Sequence, residues 1–171
     1  MKKITFFAAI VMIAFTTTNS FAQSTASTTA ASSATVITPI AIAKTIDLNF
    51  GNLVATTSGG TVTVAPDGTR TGHAATIAGN QNGTISAAEF TVTGETDFTY
   101  AITLPASPFV VAHTDLTEMS VGTFVSTPST TGVLALGTQT LKVGATITLI
   151  GGETSGAYTN ASDLAVTVYY N

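Results

Sequence analysis

From Thr35 onward, apolar and polar residues alternate with a period of two. Ile46, Leu48 and Phe50 oppose Thr45, Asp47 and Asn49. Val62 and Val64 oppose Thr61 and Thr63, and Ala88, Phe90 and Val92 oppose Glu89, Thr91 and Thr93. The pattern repeats in Phe98, Tyr100, Ile102 and Leu104, then through Leu141, Val143, Ala145, Ile147 and Leu149. It closes with Leu164, Val166, Val168 and Tyr170. Such alternation predicts strands with one buried and one wet face. Near the start, Val36, Ile40 and Ile42 share a face, with Thr38 interrupting the apolar series. Ser58-Gly59-Gly60, Pro66-Asp67-Gly68, Asn82-Gly83, Gly151-Gly152 and Ser155-Gly156 supply turn signals between the runs. About eight to ten short strands predict an all-β, antiparallel β-sandwich, with a small barrel as the alternative.

The first residues follow a different rule. Met1-Lys2-Lys3 is basic, Ile4 to Phe15 is almost wholly apolar, and Ser20 and Ala22 hold the small positions of a cleavage site. This is the layout of a signal peptide over residues 1–22, cleaved before Gln23. Its apolar run is too short to cross about 30 Å of hydrocarbon. Residues 23–34, QSTASTTAASSA, carry no large apolar side chain and read as a flexible leader. A β domain over 35–171 completes the organisation. The expected product is exported: periplasmic, cell-surface or extracellular, with no integral membrane span once the signal is removed.

Composition sharpens this reading. Only 8% of the 171 residues are charged, the net charge is −4, and there is no Cys or Trp. Loss of residues 1–22 leaves Lys44, Arg70 and Lys142 against nine acids, a net charge of −6. An acidic chain with scattered cations argues against nucleic-acid binding, and the lack of Cys removes disulfide scaffolds and thiol chemistry. Threonine is the outward residue of most predicted strands; its branched Cβ suits the pleat and its hydroxyl tolerates water. The outer faces are therefore neutral and polar.

Chemistry-bearing motifs are sparse. His73 and His113 lack partners at metal-ligand spacing. No nucleophile elbow, phosphate-binding loop, zinc-protease motif or dinucleotide fingerprint occurs. Glu95 with Asp97, and Asp115 with Glu118, have the spacing of paired carboxylates but lack a calcium-loop pattern, and read as solubilising charge. Tyr158, Tyr169 and Tyr170 are the aromatics available for a sugar face, Tyr170 falling on the inward side of its strand. Arg70 is expected to pair locally with Asp67. The expectation is a non-enzymatic protein with no catalytic residue, no cofactor and no metal.

Ile46-Asp-Leu-Asn-Phe-Gly51, Gly60-Thr-Val-Thr-Val64, Pro66-Asp-Gly-Thr-Arg70, Phe90-Thr-Val-Thr-Gly94, Tyr100-Ala-Ile-Thr-Leu-Pro105 and Val166-Thr-Val-Tyr-Tyr-Asn171 occur in that order. Together with Met119-Ser-Val121, Val143-Gly-Ala-Thr-Ile147 and Gly156-Ala-Tyr158, they resemble a secreted bacterial family known as domain of unknown function 4402. More distantly, Leu48-Asn-Phe-Gly51 and Gly156-x-Tyr158 before a final Val-Thr-Val strand resemble spore coat protein U and the archaic chaperone–usher pilins. That resemblance implies an immunoglobulin-like sandwich and assembly by strand donation. The disulfide of that group is absent here.

The candidate strand-donation segment is 35–43, carrying Val36, Ile40 and Ile42 behind the polar leader. An extended, alternating strand of this kind can augment a neighbour's sheet; equally, it can be the first strand of its own sandwich. Two functions follow. One is a structural or adhesive surface protein of fimbrial type, self-associating or joining other surface proteins. The other is a monomeric secreted module whose loops recognise a glycan or partner protein. The face assignment is tested by stability. Phe90→Ala or Tyr100→Ala is expected to cost about 3–5 kcal/mol. Thr99→Ser and Thr103→Ser should leave the denaturation midpoint nearly unchanged; damage from the threonine changes instead would invert the faces.

Overall fold

The longest alternating run, Thr138–Leu149, becomes the strand around which the sheet is laid. The computed structural model describes residues 25–72, 77, 83–161 and 163–171. Among these, the strands are β1 (Ala41–Ile46), β2 (Asn49–Phe50), β3 (Gly60–Val64), β4 (Arg70–Gly72), β5 (Ile85–Ser86) and β6 (Ala88–Thr93). They continue with β7 (Thr99–Thr103), β8 (Phe109–Ala112), β9 (Glu118–Thr127), β10 (Thr131–Val133), β11 (Thr138–Leu149) and β12 (Thr167–Tyr170). Their ladders are all antiparallel.

β11 serves three partners. Along one edge it pairs with β6 over Thr138–Val143 and then with β3 over Ala145–Leu149. Along the other it pairs with β9. Gly144 lies where the first edge changes partner. A Cβ there would fall on the carbonyl oxygen of Val64, so only glycine admits the approach. β1 lies outside β6, β4 outside β3 and β8 outside β9, giving a curled, half-barrel sheet of seven strands. A smaller sheet, β10-β7-β12, and the short β2–β5 ladder complete the β structure.

Two apolar clusters sit inside this curl. The first joins Ala88, Phe90, Val92, Leu141 and Val143 of the large sheet to Tyr100 and Leu134 on the side of the small one. Tyr100 is wholly buried, and its hydroxyl donates to Oε1 of Gln139 at 2.9 Å. The second contains Val62, Met119, Val121, Ala145, Ile147 and Leu149. Here the cover comes from half-buried side chains, among them Phe50, Leu53, Phe109, Val111 and Tyr158. Leu48 touches both clusters. The side chains placed inside by sequence at Phe90, Val92, Tyr100 and along β11 are buried, and Thr99 and Thr103 are exposed.

β9 departs from simple alternation. Gly122 faces Thr146 and Val125 faces Gly144, so Thr123 and Phe124 together oppose Ala145. This bulge, with Thr123 at φ 50°, shifts the phase. Met119 and Val121 point inward before it, whereas Ser126 is buried after it. Ser126 is satisfied by donating to the carbonyl oxygens of Pro128 and Ser129, at 2.7 and 2.9 Å.

Some sequence expectations change. Ile46 ends β1 and is 44% exposed, after a register shift between Lys44 and Ile46 in the β1–β6 ladder. Leu164 and Val166 pack on the first cluster without strand pairing, so β12 begins only at Thr167. Residues 1–22 and Asn82 lie outside the described residues. The chain divides into one unit over 1–35 and another over 36–171. Residues 25–35 of the first unit are exposed and have no regular secondary structure.

Because Gly144 has no room for a side chain, Gly144→Ala is expected to destabilise the domain by about 1–3 kcal/mol. Urea denaturation would read this as a lowered midpoint with an unchanged slope. An unchanged midpoint would show that β11 and the Val64 backbone yield freely.

Candidate functional site

The residues leading into β1 lie at a sheet margin. β1 pairs with β6 in the register Ala41↔Thr93, Ile42↔Val92, Ala43↔Thr91 and Lys44↔Phe90. It ends the order of the large sheet, as β12 ends that of the small one. The structure separates the three candidate donor side chains. Ile40 and Ile42 are half-buried and pack on the first cluster. Val36 is 96% exposed. It is five residues ahead of Ala41, where strand pairing begins, so alternation alone does not carry it onto the core.

A hydroxyl closes this margin. Tyr170 Oη donates to the Thr38 carbonyl oxygen at 2.7 Å and accepts the Glu95 backbone N–H at 2.6 Å. Its ring meets Phe98 edge-on, with centroids 5.6 Å apart. Glu95 then reaches back, its Oε2 accepting the Thr38 N–H at 2.7 Å. That bond holds the Glu95 carboxyl below its ordinary value. The latch joins residues 132 positions apart. Local sequence gives no sign of such a pairing, beyond placing a tyrosine on the inward face of the last strand.

The other sequence candidates fall elsewhere. His73 lies outside the described residues. His113 Nδ1 is 2.8 Å from Asp115 Oδ1, and its ring lies against Tyr158 with centroids 5.3 Å apart. The Thr117 hydroxyl, followed by further hydrogen bonds from Thr154, the Thr117 backbone and His113, drives the Asp115 carboxyl well below the usual range. Glu118 opens β9. Asp97 occupies the turn between β6 and β7 with φ 63°. Asp67 accepts the Thr69 N–H at 2.8 Å, whereas Arg70 donates to the carbonyl oxygens of Phe50 and Asn52 at 2.8 and 3.0 Å. Arg70 therefore pins the β2 segment, a role distinct from the expected local pairing with Asp67. Tyr169 is 54% exposed. Among the described residues, no group of three or more His, Cys, Asp or Glu is placed to hold a metal ion.

A second concave feature was not legible in the alternation. Between the β2 segment and residues 153–161 of the connection into β12 lies a cavity of about 870 Å³, mainly over the second cluster but also touching Ala88 and Phe90 of the first and Lys44 of β1. The connection is anchored to β8 by mutual backbone hydrogen bonds between Ala112 and Thr159, at 3.1 and 3.0 Å. Asn160 Nδ2 donates to the Val110 carbonyl oxygen at 2.7 Å.

The family model described as Domain of unknown function (DUF4402) matches residues 40–170. No curated protein and no solved structure matches the chain. Among the described residues, no helix is long and apolar enough to cross a membrane.

The Glu95–Thr38 contact has a defined pH dependence. A carboxyl lowered on folding contributes stability above its unfolded value, near 4.5, and loses that contribution as pH falls through the folded value. The Thr38 amide resonance is expected to titrate with a midpoint below 4.5. Glu95→Gln should abolish that titration; its persistence would assign it to another group.

Proposed function

The chain belongs to the DUF4402 family, whose description assigns no activity, and from this premise we propose an exported, non-enzymatic structural or adhesive surface protein. On this reading residues 1–22 are a cleaved signal peptide, and the large and small sheets form an immunoglobulin-like sandwich. Copies associate by exchanging β1, in the manner of a fimbrial subunit.

The observation that carries the reading is the position of β1. It is an edge strand whose Ile42, with Ile40 just ahead of it, packs on the first cluster, and it follows an exposed segment without regular structure. The contacts that seat it on its own β6 are those it would make on the β6 of a neighbour. Strand exchange therefore replaces one set of bonds by an identical set and needs no new surface. The neutral threonine faces add little charge repulsion between copies.

Because the chain has no cysteine, cross-linking can report whose β1 occupies the site. Ala43 and Thr91 are directly paired, and neither contributes to the apolar clusters. Opposed positions of this kind lie within disulfide reach. Ala43→Cys and Thr91→Cys chains, purified separately from Gln23 onward, mixed at high concentration and oxidised, should give a covalent heterodimer. The double variant should close within one chain at high dilution. Internal closure of the double variant, with no heterodimer from the mixed singles, would overturn strand exchange and leave the monomeric binding module.

A further inference from the structure

The cavity over the second cluster is too large to be a packing fault. Protein interiors keep few voids larger than a water molecule, while small-molecule sites span about 300–1,000 Å³. At about 870 Å³ the cavity falls in the second class. Its floor carries Phe50, Phe109, Val111, Met119 and Leu149, an apolar surface suited to a hydrocarbon or aromatic body.

Its polar groups are mostly engaged. Asn49 Oδ1 accepts the Gly51 N–H at 2.8 Å, and Tyr158 Oη lies 2.8 Å from Thr117 Oγ1. Lys44 is paired with Asp47 at the rim. The exception is Glu153. Its Oε1 accepts the Ile150 and Gly151 N–H groups at 2.6 and 2.9 Å, whereas the buried Oε2 has no partner. Burial raises the Glu153 carboxyl, but the backbone hydrogen bonds together outweigh it and the group is lowered overall. The carboxylate therefore stays ionised at neutral pH. Lys44, Asp47 and Glu153 are the charged residues of the lining, which leaves it one negative charge in excess. Oε2 is itself shielded, so what the cavity offers a guest is the negative charge of its lining, which favours a cation and repels an anion.

We propose that this cavity binds a small amphiphile: an apolar chain or ring system carrying a cationic head drawn by the charge of Glu153 in its lining. This inference does not rest on strand exchange: the cavity lies mainly over the second cluster and also touches Ala88 and Phe90 of the first and Lys44 of β1, but a guest in it needs no second copy of the chain.

The test uses N-phenyl-1-naphthylamine, an apolar probe with one N–H donor, and the chain from Gln23 onward. Probe fluorescence should rise on binding. Dodecylamine should displace the probe at a concentration at least about tenfold below that of dodecanoate, both kept below micelle formation, a preference of about 1.4 kcal/mol. Glu153→Gln keeps an oxygen for the Ile150 and Gly151 amides and removes the charge, so it should bring the two competitors within about threefold. Val111→Trp should fill the floor and abolish the signal. If that variant fails to fold by circular dichroism, Ala157→Trp on the exposed connection replaces it. The proposal is overturned if the probe does not brighten, if the folded tryptophan variant binds as the parent does, or if the parent treats the two competitors alike.

Discussion

Everything in the domain depends on the uninterrupted inward row of β11. Leu141 and Val143 enter the first cluster, and Ala145, Ile147 and Leu149 enter the second. The same strand supplies ladder partners to β6, β3 and β9. A side-chain period of two ties these facts together, since a one-residue slip would turn the whole row outward. Leu48 also touches both clusters, so the two are joined by this strand and by that side chain. Gly144 lets the Val64 backbone come close where this strand changes neighbours, because a backbone oxygen occupies the space a side chain would need.

The two clusters are finished differently. Over the first, a second sheet brings Tyr100, buried and hydrogen-bonded, and the margin is sealed by β1. Over the second, side chains from β8, the β2 segment and residues 153–161 leave space. A strand edge and a cavity are therefore consequences of one unequal covering of a single curled sheet. Arg70, bonded to the Phe50 and Asn52 carbonyls, fixes one wall of that space from β4.

Where the alternation is unbroken, the sequence is sufficient to assign faces. In β6 and β11 the apolar side chains at every second position are buried, Gly144 being buried out of phase with them, and in β7 the inward Tyr100 is buried. β9 was not legible because its bulge at Thr123 reverses the phase midway, so its inward residues do not form one series. β8, with Phe109, Val110 and Val111 in a continuous apolar run, offers no period to read. Val36 shows the converse: a residue can share a parity with buried neighbours and still lie beyond the strand. The Tyr170 latch and the unpartnered Glu153 oxygen depend on distant backbone positions, which no local pattern encodes.

The Tyr170 latch also sets how the domain carries force. β1 and β12 belong to different sheets, and each runs close to one end of the folded unit. Tension applied between residue 36 and Asn171 meets the Thr38 contacts before β1 at one end, whereas at the other it falls directly on the Asn171–Thr99 bond and the Tyr170–Tyr100 rung of the β12–β7 ladder. The Glu95 carboxylate, bonded to the Thr38 amide, shares that load from the β6–β7 turn. The latch and the end of the β12–β7 ladder therefore share a pull at Asn171, while β1 stands behind the Thr38 contacts.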